Sequence, residues 1–214
     1  MHASSLNALA AASLFLTLAA CKERAPDPLT LTQPWTDTFD RVDLGDDWRD
    51  TGGGWTIKDG ALRGQGAYNH PIWLKKKLPR DVRIELDTWS LSPDGDLKVE
   101  VFGDGRTFDP DKGSYTASSY VLIMGGWKNS LSKIARRDEH RREDPSRADV
   151  KVVPGQKYRW TIERRGDVLS WQVDGKPFLT LTDLDPMFGP GHEHFGVGNW
   201  EAEVYLDNLV ITPL

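Results

Sequence analysis

From residue 35 onward this 214-residue sequence predicts an all-β sandwich of antiparallel sheets. Three observations predict it. Past Trp35 no long segment repeats its apolar residues at helical spacing, while short runs alternating apolar and polar residues recur. Gly, Asp and Pro separate those runs, as turns between strands require. Two of the separators are Asp-Gly pairs, the dipeptide that closes two-residue hairpins. About a dozen strands with no intervening helix leave no crossover for parallel pairing, so an antiparallel two-sheet sandwich or jelly roll is expected.

The chain opens differently. Residues 6–20 read LNALAAASLFLTLAA, an apolar run shorter than the roughly 20 residues a bilayer span needs. It fits the apolar region of a secretory signal. It closes as Leu18-Ala19-Ala20-Cys21, which resembles the bacterial lipobox. That resemblance implies cleavage before Cys21 and a diacylglyceryl group on its thiol, although the leading MHASSLN carries no Lys or Arg. A plain signal peptide, or a buried helix with an incidental cysteine, is the alternative. Residues 21–34 are polar and proline-rich after the cysteine and read as a disordered tether. Lys22 stands where an Asp would mark inner-membrane retention in enteric bacteria, so the expectation is export and anchoring in the outer membrane. Cys21 is the sole cysteine, which rules out a disulfide within the chain and a cysteine-based zinc site. The formal charge of -5 gives no reason to expect nucleic acid, and contact with a membrane is expected through the lipid alone. No second domain boundary is visible, so residues 35–214 are expected to form one domain and a monomer.

The strands follow in order. Residues 55–58 and 61–63 flank Asp59-Gly60 as a hairpin; residues 168–173 and 176–181 flank Asp174-Gly175 in the same way. Further strands are expected over 72–78, 82–91, 97–102, 119–124, 158–164, 194–200 and 204–211. Within 82–91, Val82, Ile84, Leu86 and Thr88 share one face, and Arg83, Glu85, Asp87 and Trp89 share the other. Within 97–102, Leu97, Val99 and Val101 read as core, with Lys98, Glu100 and Phe102 pointing away. Residues 136–149 are almost wholly charged and read either as a solvated loop or as a flap carrying Arg and His over one face of the sandwich.

The order of motifs now resembles a known family. Phe39-Asp40-Arg41-Val42-Asp43-Leu44-Gly45 and Trp48 come first, then Trp55 with Asp59-Gly60. Trp171-Gln172-Val173-Asp174-Gly175 follows, and Phe195-Gly196-Val197-Gly198 precedes Val204-Tyr205-Leu206-Asp207-Asn208-Leu209. This layout is similar to the concanavalin A-like lectin/glucanase superfamily, close to laminin-G-like domains and to the domain linked to 3-keto-disaccharide hydrolysis. The resemblance implies a jelly roll of two curved sheets that binds carbohydrate on its concave sheet or rim loops, in some members with structural calcium. For calcium, Asp40 and Asp207 are candidates if the first and last strands pair, as are the acidic turns at Asp94, Asp96 and Asp104.

Candidate site residues fall in four places. Glu85 and Asp87 resemble part of the Glu-x-Asp-x-x-Glu signature of retaining glucanases, but Ser90 takes the third acidic position and leaves the pair incomplete. Glu100 would extend that acidic row if its strand were a neighbour, and His140 completes the set of catalytic candidates. Residues 120–137 hold Gly125-Gly126 beside Trp127 and Asn129; with Tyr120, Arg136 and the aromatic Trp89 they supply stacking and hydrogen-bonding groups for a sugar. Asn199 and Trp200 are expected at the rim, while His192 and His194 are half a metal site without a third ligand.

Three functions fit these residues. The leading one is a cell-envelope lipoprotein with a lectin-like domain whose partner is a glycan or oligosaccharide, with no required cofactor. The second is a glycoside or 3-keto-disaccharide hydrolase using carboxylates on the concave sheet. The third is a structural envelope protein without a small ligand. Convergence of Trp89, Trp127, Glu85 and Arg136 on one groove separates the first two from the third.

Overall fold

The computed structural model describes residues 29–113 and 115–214; the expected signal peptide, Cys21 and the tether as far as residue 28 lie outside the described residues. The described residues form fifteen strands in chain order: β1 Trp35–Asp37, β2 Trp48–Asp50, β3 Thr56–Lys58, β4 Ala61–Gln65 and β5 Ile72–Lys77. Then come β6 Val82–Ser90, β7 Leu97–Gly103, β8 Tyr120–Gly125, β9 Leu131–Arg136 and β10 Ser146–Arg147. The chain closes with β11 Tyr158–Arg165, β12 Val168–Val173, β13 Lys176–Thr182, β14 His194–Gly198 and β15 Glu203–Pro213.

The strands pair antiparallel in two sheets. An eight-stranded sheet runs β13-β12-β11-β6-β15-β4-β3, with β1 also on β15; a seven-stranded sheet runs β10-β9-β8-β7-β14-β5-β2. This is the jelly-roll sandwich the alternation predicts. Both Asp-Gly hairpins form, between β3 and β4 and between β12 and β13. Each central residue has positive φ: Asp59 53° and Gly60 73°, Asp174 51° and Gly175 71°, the type I′ geometry whose twist matches the strands it joins.

One core lies between the sheets. From the eight-stranded sheet come Ile84, Leu86, Ile162 and the pair Trp160 and Trp171, whose rings sit 4.4 Å apart. From the seven-stranded sheet come Leu74, Val99, Leu122 and Phe195. All are shut off from water, and burying an apolar side chain of this size stabilises by about 1.5–3 kcal/mol.

The structure corrects two expectations. Phe102 does not point away from the core. It takes a φ of 61° where the ladder between β14 and β7 slips register, and this extra turn swings its ring inward. The acidic row of β6 is not extended by β7 either, since the two strands belong to different sheets.

Candidate functional site

The seven-stranded sheet turns its other face outward, and the alternation of β7 sets what that face carries. Leu97, Val99 and Val101 point into the core, so Lys98 and Glu100 point out. Neither reaches solvent: Lys98 is 5% and Glu100 1% exposed. On β14, Gly196 and Gly198 share this face and leave it open. At Gly198 an added Cβ would lie 3.4 Å from the Lys98 side chain, and at Gly196 it would sit 2.7 Å from Trp73. Trp73 fills one end of the face, its indole N–H donating to the Thr107 carbonyl. The remainder is a cavity of about 680 Å³.

Loops close over the two charged stakes. Tyr115, from the segment before β8, donates its hydroxyl proton to the Glu100 carboxylate at 2.7 and 2.8 Å, and Ser119 donates to Oε2 at 2.5 Å. Lys98 Nζ donates to Asn69 Oδ1 at 3.1 Å and stands 3.1 Å from Oε2 of Glu139, in the loop after β9. That oxygen is shielded from water and lacks a well-directed donor, so its tie to Lys98 is charge and proximity rather than an aligned hydrogen bond. Asp96, also buried, accepts from the Trp200 N–H at 2.5 Å.

The electrostatics follow from this enclosure. Burial disfavours the Lys98 ammonium, but the charges of Glu139, Asp96 and Glu100 outweigh it and hold its pKa above the ordinary lysine value. Burial pushes Glu100 up to about 7, against the Ser119 and Tyr115 hydrogen bonds and the Lys98 charge. Burial also raises Asp96. The floor is thus one fixed cation among three carboxylates, with a proton bound near neutral pH.

Two aromatic walls stand above the floor. Trp127, 38% exposed, meets His140 edge-on at 5.9 Å. It sits in a left-handed turn at Gly126–Asn129, with Trp127, Lys128 and Asn129 at φ 50°, 57° and 59°. Left-handed conformations cost non-glycine residues roughly 1–2 kcal/mol each, so the surroundings must hold the turn. Asn129 does so: its amide donates to the carbonyls of Pro93 and Val152 and accepts from the Val152 N–H at 2.8 Å. Opposite, Trp200 meets Tyr68 at 5.0 Å and 82°, and Lys112 caps Tyr68 at 4.6 Å.

The predicted site residues therefore scatter. Trp127, His140 and Trp200 line the cavity, and Glu100 lies directly beneath it. Glu85, Asp87 and Trp89 lie across the sandwich on the outer face of the eight-stranded sheet. There Arg159 pairs with both carboxylates, and Trp89 stacks on Tyr205 at 5.0 Å. The expected groove of Trp89, Trp127, Glu85 and Arg136 does not form, because β6 and β8 belong to different sheets. Tyr120 points into the core and donates its hydroxyl proton to Asp183, which Arg136 also grips, away from the cavity. Asn129 and Asn199 are structural. Asn199 is fully buried, its amide bound to the Ala67 N–H and the Ala202 carbonyl. His192 and His194 spend their Nδ1 atoms on the carbonyls of Ser118 and Leu74. Burial raises Asp207, with Asp87 and Asp40 adding negative charge nearby, and among the described residues no three His, Cys, Asp or Glu side chains are placed to hold a metal ion.

Sequence reasoning missed Lys98, Asn69, Tyr115 and Glu139 as site residues. The signal for Lys98 and Glu100 was two charges on one face of a strand followed by Gly-x-Gly on its partner. Glu139 was hidden in the charged run of 136–149; of the two readings open for that run, solvated loop or flap, the structure is nearer the flap, but it brings Asp138, Glu139 and His140 to the cavity rather than arginines.

Comparison with known proteins gives the same fold. A family model described as 3-keto-alpha-glucoside-1,2-lyase-like domain matches residues 34–212. No curated protein matches the sequence. Among solved structures, the carbohydrate-binding module CBM66 from Bacillus subtilis is 16% identical, with 80% of this chain and 99% of that one covered at a TM-score of 0.57. A Bacillus subtilis protein with a galectin-like fold is also 16% identical, covering 83% and 94% at 0.62. The Bacillus licheniformis β-glucanase is 10% identical, covering 85% and 99% at 0.58. At these identities the likeness is one of fold.

Proposed function

Because the chain belongs to the 3-keto-alpha-glucoside-1,2-lyase-like domain family, we propose that its cavity eliminates the C1 substituent of a 3-keto-α-glucoside. In such a sugar the C2 hydrogen is acidified by the C3 ketone, and the glycosidic oxygen on C1 is the leaving group. Removing the C2 proton sends its electron pair into an enolate whose charge rests on the C3 oxygen. When the ketone re-forms, a C1–C2 double bond appears and the C1–O bond breaks. The C2 hydrogen and C3 oxygen sit on adjacent carbons, so base and cation must be neighbours. The observation that carries the reading is that Glu139 and Lys98 are neighbours, 3.1 Å apart on the floor of a sugar-sized cavity.

In this reading Glu139 takes the C2 proton, and Lys98, fixed and fully ionised, holds the C3 oxyanion. A cation preorganised in a dry site stabilises such charge far better than it would in water. His140, at the mouth, returns a proton to the departing C1 oxygen. Trp127 and Trp200 offer faces to the ring. Glu100 lies beneath the cavity and acts by holding Tyr115, which lines the cavity wall, and through it the covering loop.

Assay of a chromogenic 3-keto-α-glucoside tests this. Wild type releases the aglycone, while Glu139→Gln and Lys98→Met each lose at least about a hundredfold in kcat. Release that survives both changes refutes the assignment. A second reading, a glycan-binding module using the same cavity, is favoured by the mutual neutralisation of Lys98 and Glu139; it predicts saturable binding without aglycone release. For the amino-terminal segment we propose lipid anchoring at Cys21 in the bacterial envelope. Radiolabelled palmitate should enter the full chain and be lost in Cys21→Ser.

A further inference from the structure

The charge around the cavity is lopsided. The floor sets one ammonium, Lys98, among Asp96, Glu100 and Glu139. The mouth adds three exposed carboxylates, Asp94, Asp138 and Glu201, against the ammonium of Lys128 and the imidazole of His140, so acids outnumber bases there too. Lys98 is not spare for a charged substituent elsewhere on the sugar: it is buried, tied to Asn69 and Glu139, and its remaining capacity is assigned to the C3 oxygen in the proposed reaction. The other nearby cation, Lys112, is drawn off onto the Tyr68 ring beyond Trp200. An anionic group entering this space meets like charge in a recess where Coulomb interactions are several times stronger than in bulk water.

Building on the sugar-site reading, we infer that the cavity selects by charge: it takes glycosides that are neutral or carry an ammonium group and rejects those bearing a carboxylate or sulfate. Asp138 and Glu201 are the specificity-determining residues at the mouth. The exclusion is electrostatic and not steric, so it weakens as salt rises and the Debye length shrinks.

Three matched 3-keto-α-glucosides test it, identical except for hydroxyl, carboxylate or ammonium at C6. In low salt the carboxylate loses at least tenfold in kcat/KM, or in affinity, relative to the hydroxyl, and the ammonium loses nothing. In Asp138→Asn/Glu201→Gln the carboxylate's penalty falls at least threefold. Equal use of all three sugars overturns the inference. A second measurement needs no sugar. Iodide quenching of the Trp127 fluorescence, isolated by subtracting the Trp127→Phe spectrum, should at least double in the double variant, with acrylamide quenching unchanged. Iodide quenching unaltered by those substitutions also overturns it. Failure of every sugar to bind would instead refute the proposed function, and the quenching result would still decide the charge inference.

Discussion

The two outer faces of the sandwich carry the same kinds of residue and put them to opposite use. On β6, Arg83, Glu85, Asp87 and Trp89 form a charged row ending in an indole. On β7, Lys98 and Glu100 form another. The β6 row is satisfied within its own sheet. Arg83 meets Glu163 at 2.5 Å, Arg159 meets Asp87 at 3.3 Å, and Lys157 caps Trp89 at 4.2 Å. Its side chains stay partly exposed to water. The β7 row takes its partners from loops: Asn69, Tyr115 and Glu139 arrive from three separate connections and close over it. Charge on a strand face is therefore not what makes a site. Enclosure by loops is, because it removes the solvent that would otherwise screen the charge.

The largest effect should come from deleting the central cation of each face. Lys98→Met leaves the buried Asp96 and Glu100 and the partly buried Glu139 without their counter-charge, and breaking such a set costs about 3–5 kcal/mol of stability. Arg159 is the matching residue opposite, but its side chain is 37% exposed and its partners are hydrated. Arg159→Met should cost less than about 1 kcal/mol and leave turnover unchanged. Urea denaturation of both variants measures the contrast; equal midpoints would abolish the distinction between the faces.

Next comes pH. Glu100 rises from an ordinary 4.5 to about 7 on folding, so the folded chain binds this proton more tightly than the unfolded one. The contribution is fully present below pH 4.5 and is lost as pH climbs through 7, on the order of 2–3 kcal/mol across that window. Asp96, raised by burial, acts in the same direction. Asp37 works the other way: Arg41 and Trp48 hold it low despite burial, so its contribution is present above its ordinary 3.8 and is lost as pH falls. The difference between wild type and Glu100→Gln isolates the first effect. The variant's advantage should grow from pH 4.5 to 7.5, and a pH-independent difference would show that Glu100 ionises freely.

These contrasts explain how far the sequence could be read. Alternation and the two Asp-Gly turns were enough for the sandwich, because period-two burial and type I′ geometry are local properties. The inward and outward faces of β6 were equally legible. Which outward face lies under loops was not, since Asn69, Tyr115 and Glu139 approach Lys98 and Glu100 from positions between 15 and 41 residues away in the chain. Long-range adjacency misplaced Glu85, Asp87 and Trp89 for the same reason. Asn129 and Asn199 looked like ligand contacts because an amide beside a tryptophan suits a sugar. An amide suits two backbone groups as well, and here the backbone holds them. Phe102 was misread because one residue with positive φ reverses the side-chain alternation.

The smallest contrast is between the two tryptophans that sequence reading treated alike. Among the described residues, the Trp127 ring makes one aromatic contact, edge-on with His140, and lines the cavity. Trp89 lies flat on Tyr205, its planes inclined by 4°, with Lys157 over the other face, so both sides of the indole are occupied. A sugar ring could stack on Trp127 without displacing anything, whereas on Trp89 it would have to remove an ammonium first. Stacking of this kind is worth about 0.5–1.5 kcal/mol. Trp127→Ala should therefore weaken sugar affinity by about three- to tenfold, while Trp89→Ala leaves it unchanged. Calorimetric titration of both variants with one neutral 3-keto-α-glucoside decides between them. If Trp89→Ala carried the loss instead, the working surface would be the eight-stranded sheet, and the enclosure of Lys98 would be a feature of stability alone.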